Sequence, residues 1–317
     1  MGWFAMVRAT LHEVRGGRKP SLDASRAPPD HLRGVSIRFA NVRGRASLLV
    51  GDGVVDVERA SGGRFAADPM AAVASWSEFA DWAAGLRLGE AQGPLIEADL
   101  GAPVPRPRSV FAIGLNYREH AREAGLELPK QPMVFTKFPG CLAGPRGDIV
   151  CHSERVDWEV ELVVVIGRGG RGIAERDALA HVAGYTVGQD VSDRRLQFAD
   201  VPPQFSLGKS IDGYGPLGPA VVSLDAFADP NDLALTCDVS GERMQDGRTS
   251  DMVFGVPALV AYLSRWCSLA PGDLIFTGTP AGVGSTRDPR RYLEAGDEVV
   301  STIEGIGTLR NRCIAPT

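Results

Sequence analysis

Three carboxylates stand at the ends of apolar, strand-like segments of the sequence. Glu159 and Glu161 lie at the start of the segment 160–166, and Asp190 follows the segment 184–188. Glu159 and Glu161 are two residues apart, so both side chains leave the same face of a strand. Adjacent carboxylates repel unless one is neutral or a cation lies between them, and Mg²⁺ and Mn²⁺ prefer oxygen ligands. The pattern favours a divalent-metal site, but a solvated strand edge and a helix-capping Asp190 fit it as well.

A histidine and a glutamate with helical spacing form a second candidate group. His120 and Glu123 are three residues apart in the helix-like segment 117–124, so they are neighbours on one helical face. A carboxylate beside an imidazole orients the ring and raises its basicity, as a general base requires. An ordinary ion pair on a surface helix has the same spacing, so this pattern leaves both interpretations open.

Two lysines and a threonine lie in apolar or glycine-containing surroundings. Lys137 stands in the segment FTKF, Lys209 in LGKS and Thr279 in TGTPAGVG. A lysine directed into a pocket supplies positive charge to a carboxylate or a developing oxyanion. A lysine on a half-buried strand can instead extend to solvent, and the threonine segment can be an anion-binding loop or only a tight turn.

One glycine pattern resembles a dinucleotide-binding turn. Gly167, Gly169 and Gly172 match G-x-G-x-x-G after a strand-like segment, and Asp190 follows them. The helix-like segment behind them is short, and no repeating βαβ pattern surrounds it. We therefore interpret these residues as a glycine-rich turn.

Short strands dominate the elements that must position these residues. Apolar runs and alternating patterns predict strands over 36–42, 46–50, 54–57, 110–114, 160–166, 184–188, 219–222, 233–239, 273–277 and 298–304. Helical spacing predicts helices over 70–88, 117–124, 175–181 and 256–263. Many strands with a few short helices predict an α+β fold with a mixed, rolled or barrel-like β-sheet core.

The sequence also predicts a division of the chain into three parts. Residues 1–34 lack sustained periodicity and are rich in glycine, proline and arginine, so we expect a mobile extension. Residues 35–102 form a small N-terminal domain and residues 103–317 a catalytic domain. The prolines at the start of the second domain stiffen the connector, since each fixes its own dihedral angle and restricts the preceding residue.

Composition restricts the class of protein. The chain has 317 residues, 44% of them hydrophobic, and a formal net charge of −5 without a basic block, so nucleic acid is not an expected partner. No run approaches the roughly 20 apolar residues of a membrane helix. The five cysteines have neither disulfide-framework nor zinc-site spacing, and the N-terminus lacks a secretory signal. These features predict a cytoplasmic location.

Taken in order, these segments resemble the fumarylacetoacetate hydrolase family over about residues 103–311. The matching segments are 114–125, 135–138, 157–167, 184–197, 208–219, 240–256 and 271–284. The resemblance implies that Glu159, Glu161 and Asp190 bind Mg²⁺ or Mn²⁺. It also implies that His120 and Glu123 lie on a lid helix and activate water, that Lys209 stabilises an oxyanion or enolate, and that Lys137, Gln245 and Thr279 contact substrate. The family fold and a homodimer are further implications.

The reaction implied by the resemblance is hydrolysis of a carbon–carbon bond in a small 1,3-diketo acid of the acylpyruvate or fumarylacetoacetate type, in aromatic or sugar-acid catabolism. The alternative is an isomerase, decarboxylase or dehydratase that acts on a small 2-oxo acid through a metal-bound enolate, as in hydroxymuconate isomerase, oxaloacetate decarboxylase or sugar-acid enzymes. Three positions depart from the family pattern: Trp158 and Arg195 replace the frequent Tyr and Asp, and Leu115 stands where acylpyruvases tend to carry Arg. The last departure leaves the choice of reaction open.

Overall fold

The computed structural model describes residues 36–86 and 93–316. The predicted extension over residues 1–34 lies outside the described residues. The strands are β1 Arg38–Val42, β2 Arg45–Val50, β3 Gly53–Asp56, β4 Gly93–Pro94, β5 Leu100–Gly101, β6 Val110–Gly114, β7 Met133–Thr136, β8 Leu142–Ala143, β9 Ile149–Val150, β10 Val156–Asp157, β11 Val160–Ile166, β12 Val182–Gln189, β13 Ser192–Asp193, β14 Gly215–Val222, β15 Ala234–Val239, β16 Glu242–Arg248, β17 Leu274–Phe276, β18 Glu298–Ile303 and β19 Gly307–Ile314.

The helices are short, and several are single 3-10 turns. The α-helices are α1 Val57–Ala60, α2 Pro69–Ala74, α3 Trp76–Gly85, α4 Arg118–Glu123, α5 Arg194–Gln197, α6 Phe205–Gly208 and α7 Val256–Trp266. The 3-10 helices are Glu97–Asp99, Pro139–Cys141, Glu175–His181, Leu224–Ala226, Thr249–Asp251 and Gly284–Thr286. No helix within the described ranges is both long and apolar enough to cross a membrane.

A 12-stranded sheet carries the carboxylates at its centre. Its strands follow the order β4-β3-β2-β1-β14-β12-β11-β17-β6-β7, with β5 beside β1 and β8 beside β14. All seven residues of β11 are buried, and this strand pairs antiparallel with both β12 and β17. The sequence VELVVVI is rich in β-branched residues, and a strand that is buried on both faces in this way is typical of the interior of a sheet. The metal-site candidates therefore lie in the interior of the large sheet.

Two hydrophobic cores lie on opposite faces of this sheet. Leu162 and Val164 belong to a core shared with α7 and with the second sheet, whose order is β16-β15-β18-β19-β9. Val163 and Val165 belong to the other core, where they join Phe79 of α3. Successive residues of a strand point to opposite faces, so β11 contributes to both cores at once.

The predicted fold class is confirmed: the protein is α+β, with many strands and few short helices. The sheets are open and not closed into a barrel. The helix predicted over 70–88 is two helices, because the backbone leaves helical geometry at Ser75. The segment 175–181 is a 3-10 helix. The prediction missed β7, β16 and β19. In β16 and β19 a polar residue, Gln245 or Asn311, occupies a buried position and interrupts the apolar pattern.

Strand pairing joins the two predicted domains in one sheet. Strand β1, from the predicted small domain, pairs antiparallel with β14, and Phe39 lies opposite Val221. The boundary between residues 102 and 103 stays a prediction. In the glycine-rich turn, Gly172 adopts a positive φ of 64° and Gly170 forms a β-bridge with Leu269.

Candidate active site

Antiparallel pairing of β11 with β12 brings the three predicted metal ligands together. Val160 lies opposite Gln189, and the backbone N–H of Asp190 donates to the carbonyl of Glu159 at 2.9 Å. Glu159, Glu161 and Asp190 are all buried, and one oxygen of each lies within 4.8 Å of the others. In the described ranges they are the only such cluster of His, Cys, Asp or Glu side chains with metal-binding spacing.

Buried cations surround two of these carboxylates. The Lys209 ammonium donates to Glu159 Oε2 at 2.9 Å and to Asp190 Oδ2 at 2.6 Å. Arg194 Nη2 donates to Glu159 Oε1 at 2.6 Å, and Lys137 Nζ donates to Asp190 Oδ1 at 2.7 Å. Charge-assisted hydrogen bonds of this kind offset the cost of burying ionised groups.

Among the described residues, no lysine or arginine forms a hydrogen bond with the third carboxylate, Glu161. Glu161 Oε2 accepts a hydrogen bond from the Gly278 N–H at 2.8 Å. Burial, followed by the charges of Asp190 and Glu159, raises the pKa of Glu161 well above its usual range. Burial also raises the pKa of Glu159, but Lys209 and Arg194 outweigh it, so the pKa of Glu159 lies below its usual value. An oxygen-only group with one uncompensated carboxylate fits a hard divalent cation.

The predicted dyad lies on α4. His120 Nδ1 and Glu123 Oε2 are 3.4 Å apart, and both oxygens of Glu123 accept from the Gly282 N–H at 3.1 Å. Burial raises the pKa of Glu123, but its hydrogen bonds with His120 and Gly282 outweigh burial and lower the pKa overall. Glu123 is therefore held as an ionised acceptor that orients the imidazole ring.

A cavity of about 270 Å³ is lined by His120 of the dyad and by Glu159 of the carboxylate cluster, whereas Glu123, Glu161 and Asp190 are not among its lining residues. Its polar wall includes His120, Glu159, Arg194, Gln197, Lys209 and Thr279, and its apolar wall includes Leu115, Leu126, Met133, Phe135, Phe198 and Phe205. Its volume is slightly below the roughly 300–1,000 Å³ that is usual for small-ligand sites, and its lining combines a few polar groups with several apolar side chains. Leu115 adopts a positive φ of 54°, which is uncommon for a residue other than glycine.

Only one of the three predicted substrate contacts lines this cavity. Thr279 lies in the wall, where its hydroxyl donates to the Val160 carbonyl at 2.9 Å. Lys137 is fully buried, and its ammonium binds Asp190 together with the carbonyls of Lys209 and Tyr214. Gln245 is also buried.

The amide group of Gln245 is committed to protein partners. It accepts from the Val160 N–H at 2.9 Å and donates to the Thr279 hydroxyl at 2.7 Å and the Pro280 carbonyl at 2.9 Å. Gln245 therefore joins β16 to β11 and to the loop that carries Thr279. Neither Gln245 nor Lys137 is among the residues that line the cavity.

Two residues of the site were not predicted from the sequence. Arg194 bridges Glu159 and Asp157, and its Nη1 donates to Gln197 at 2.9 Å. Asp157 also accepts from the N–H groups of Gly284 at 2.7 Å and Ser285 at 3.0 Å. The available signal was position: Asp157 directly precedes the carboxylate pair, and Arg194 follows Asp190 in the same segment.

A cavity lined by Glu159 of a buried carboxylate cluster and by His120 of a histidine–glutamate pair is the candidate active site of an enzyme. The chain belongs to the fumarylacetoacetate hydrolase family: residues 109–314 match the family model described as "Fumarylacetoacetate (FAA) hydrolase C-terminal". The membership predicted from the sequence is thereby confirmed, together with the family fold.

Relatives of known name differ in their reactions. The chain is 46% identical over 223 residues to the Bos taurus protein "Oxaloacetate tautomerase FAHD2B, mitochondrial", which covers 70% of this chain and 71% of the relative. A crystal structure from Mycobacterium smegmatis, of a protein provisionally named HpcE, matches with a TM-score of 0.85 and 47% identity over 89% of this chain and 100% of that one. Maleylpyruvate hydrolase from Sphingobium sp. SYK-6, in complex with manganese(II) and pyruvate, matches with a TM-score of 0.74 and 26% identity over the same shares.

The predicted cytoplasmic location is wrong, because the tautomerase relatives from Bos taurus and Homo sapiens are mitochondrial proteins. The prediction rested on unpaired cysteines and on the lack of a secretory signal. All five cysteines are free thiols in the structure. Free thiols persist in any reducing compartment, and organelle-targeting segments differ from secretory ones, so neither feature distinguishes the cytoplasm from the mitochondrion.

Proposed function

We propose that this protein is a divalent-metal-dependent tautomerase that interconverts the keto and enol forms of a small 2-oxo diacid, with oxaloacetate as the substrate. The observation that carries the proposal is the single cavity lined by both His120 of the dyad and Glu159 of the carboxylate cluster. A proton-transfer group and a charge-stabilising group can then act on one small substrate. The relatives named oxaloacetate tautomerase support this choice of reaction.

The carboxylate cluster would hold Mg²⁺ or Mn²⁺ through Glu159, Glu161 and Asp190. When bound there, the cation would act as a Lewis acid towards the oxygen atoms of a 2-oxo acid. The Lys209 ammonium lines the cavity beside Glu159 and Asp190, where its positive charge would stabilise negative charge that develops on the substrate's C2 oxygen. Arg194 lies in the same wall and adds to the positive potential that attracts a dicarboxylate.

His120 moves the proton in this proposal. With Nδ1 turned to Glu123, the Nε2 nitrogen is left to take a proton from C3 of the keto form. The ionised Glu123 stabilises the resulting imidazolium, which then gives a proton to the C2 oxygen and so completes the enol. In the reverse direction His120 takes the proton of the enol hydroxyl and delivers a proton to C3.

Hydrolysis of a carbon–carbon bond is the second candidate. Its support is the likeness to maleylpyruvate hydrolase, whose crystal structure holds manganese(II) and pyruvate. In that reaction His120 would take its proton from water instead of from C3, and Lys209 would lie beside the forming oxyanion. Leu115 in the cavity wall gives an apolar surface at the position where acylpyruvases tend to carry arginine, which favours the tautomerase.

Among the other residues predicted to contact substrate, we retain Thr279 in that role because it lines the cavity. We assign Lys137 and Gln245 to positioning. Lys137 holds Asp190, and Gln245 holds Thr279.

A two-product assay tests the proposal. Purified protein is given Mg²⁺ or Mn²⁺ and either enol-oxaloacetate, followed by loss of its ultraviolet absorbance, or acylpyruvates and maleylpyruvate, followed by release of pyruvate. We expect rapid, metal-dependent loss of the enol with little pyruvate release. Fast pyruvate release with enol decay at the uncatalysed rate would replace the tautomerase with the hydrolase.

A further inference from the structure

Two cysteines outside the candidate active site lie side by side. Strand β9 pairs in parallel with the end of β19, and Cys313 lies opposite Ile149. Cys151 directly follows β9, and its N–H donates to the carbonyl of Ile314 at 2.9 Å. Residues 149 and 151 leave an extended chain on the same face, so the Cys151 side chain lies on the side of Cys313. The two cysteines are therefore two positions apart in the register of this strand pair, on the same face.

We propose that Cys151 and Cys313 form a reversible disulfide when the protein meets a hydroperoxide, and that this bond fastens β19 to β9. The two thiols are far apart in sequence and adjacent in space, which is the arrangement that a stabilising crosslink requires. Closure requires the sulfur atoms to approach to a bond length of about 2.05 Å, with movement of the chain after β9 or at the end of β19.

The two thiols differ in a way that assigns their roles. Cys151 is half-buried and accessible to a small oxidant, whereas Cys313 is only 2% exposed. The hydrogen bond from the Cys313 thiol lowers the pKa of Cys151 below its usual value. The same hydrogen bond, followed by burial, raises the pKa of Cys313. Cys151 is therefore the attacking thiolate and Cys313 the resolving thiol.

The reaction balances in two steps. The Cys151 thiolate attacks one oxygen of hydrogen peroxide, the O–O bond breaks, and the released hydroxide takes a proton to leave as water, which gives a sulfenic acid. The Cys313 sulfur then attacks the Cys151 sulfur, the S–O bond breaks, and the departing hydroxide takes the Cys313 proton as a second water. Two thiols lose two electrons in total, and one peroxide gains them.

The other cysteines do not share these properties. Burial raises the pKa of Cys237 to about 12 and also raises the pKa of Cys141. Cys267 is exposed on the surface at the end of α7. A metal at Cys151 and Cys313 is disfavoured, because the only described group of three potential ligands within reach of one ion is the carboxylate cluster.

A disulfide here would also stiffen the support of the candidate active site. The Tyr214 hydroxyl donates to the carbonyl of Val150 at 3.0 Å, next to Cys151. The Tyr214 carbonyl in turn accepts from Lys137 at 3.1 Å, and Lys137 holds Asp190. Oxidation should also raise the midpoint temperature of thermal unfolding, because the crosslink restricts the unfolded chain.

Peptide mapping of the native full-length protein tests the inference. After treatment with hydrogen peroxide, remaining thiols are alkylated during unfolding, the chain is digested without reductant, and linked peptides are identified by mass spectrometry. We expect one intramolecular Cys151–Cys313 link that dithiothreitol reverses, and a higher unfolding temperature for the oxidised protein. Cys267→Ser, the matched control, should show the same link and shift.

The variant Cys151→Ser should lose both the link and the shift in unfolding temperature, while Cys313 remains alkylatable after peroxide. The proposal is overturned if wild-type Cys151 and Cys313 are both alkylated under peroxide conditions that oxidise Cys267. It is equally overturned if peroxide links Cys151 to another chain, or if Cys313 is oxidised as fast in Cys151→Ser as in wild type.

Discussion

His120 is the residue on which the proposed proton transfer depends. Its imidazole lines the cavity and lies beside an ionised Glu123, whereas His181, the control, hydrogen-bonds the Arg168 carbonyl and is not among the cavity-lining residues. We expect His120→Asn to lower kcat for enol-oxaloacetate by about 10²–10⁴-fold, the usual cost of losing a general base. Steady-state kinetics with saturating Mn²⁺ provide the measurement.

The control His181→Asn should keep the wild-type kcat. If His120→Asn also keeps it, the dyad has no part in proton transfer and the proposed role of α4 is wrong. An unchanged midpoint of thermal unfolding in both variants will show that a loss of rate is not a loss of folded protein.

Substitution of Glu161 tests metal binding without breaking the ion pairs that Glu159 and Asp190 form with lysine and arginine. Glu161 Oε2 accepts a hydrogen bond from the backbone N–H of Gly278, and no described lysine or arginine donates to it. A glutamine at this position therefore removes the negative charge and keeps the shape of the side chain. We expect Glu161→Gln to weaken Mn²⁺ binding by about 10²-fold or more, since even the partners of metal ligands contribute 10–100-fold. Isothermal titration calorimetry measures the affinity directly.

Glu119→Gln on α4 is the matched control, because the Glu119 side chain is 61% exposed and forms an ion pair with Arg122 on the surface of the same helix. It should bind Mn²⁺ like the wild type. Equal affinity in Glu161→Gln and wild type would exclude Glu161 as a metal ligand.

At the residue scale, the spacing of residues predicted which side chains share a face but not which ion pairs they form. The alternation of Glu159 and Glu161 at a strand start indicated two carboxylates on one face, and the structure brings them together with Asp190. The ion pairs of Arg194 and Lys137 could not be predicted, because they join residues 35 and 53 positions apart along the chain. Such pairs depend on tertiary packing and leave no periodic signal.

The element that joins the dyad to the sheet is the loop after β17. Gly282 in this loop adopts a φ of +105° and donates its N–H to Glu123. A Cβ on Gly282 would lie 2.0 Å from the Met244 carbonyl oxygen, so the loop must move to accept alanine. We expect Gly282→Ala to lower both kcat and the free energy of unfolding, measured by enol decay and by urea denaturation.

Gly241→Ala is the control that separates the cost of a strained backbone from the effect of moving the loop that carries Gly282. Gly241 has a φ of +83° in the turn between β15 and β16, and a Cβ there would meet nothing within 4 Å. It should cost about 1–2 kcal/mol of unfolding free energy for its left-handed backbone and leave kcat unchanged. If Gly282→Ala behaves like Gly241→Ala in both measurements, the loop does not position Glu123.

Strands were predicted where the buried positions carry apolar residues. Strand β11 has the predicted bounds, because its run of mostly β-branched residues is buried on both faces. Strand β18 was predicted from its alternation of buried and more exposed residues. Strand β19 was missed because Asn311 occupies a buried position between Arg310 and Arg312, which interrupts the apolar alternation.

At the scale of the whole molecule, the large sheet is shared by segments distant in sequence. Strand β1 pairs with β14, and β17 lies parallel to β6, so the start of the described chain meets distant segments of the predicted catalytic domain in one sheet. Local periodicity predicts strands but not this order, because pairing partners are chosen by tertiary packing. The homodimer implied by the family resemblance stays a prediction.

In the proposed reaction His120, in the wall of the cavity, transfers a proton to or from C3 of the substrate. The most direct test converts enol-oxaloacetate in D₂O with the Mn²⁺-loaded protein and traps the keto product at once with malate dehydrogenase and NADH. Magnetic resonance then gives the configuration of deuterium at C3 of malate. Delivery from His120 predicts one configuration in large excess, which is lost in His120→Asn. An equal mixture from the wild-type protein, at a rate above the uncatalysed one, would contradict the account.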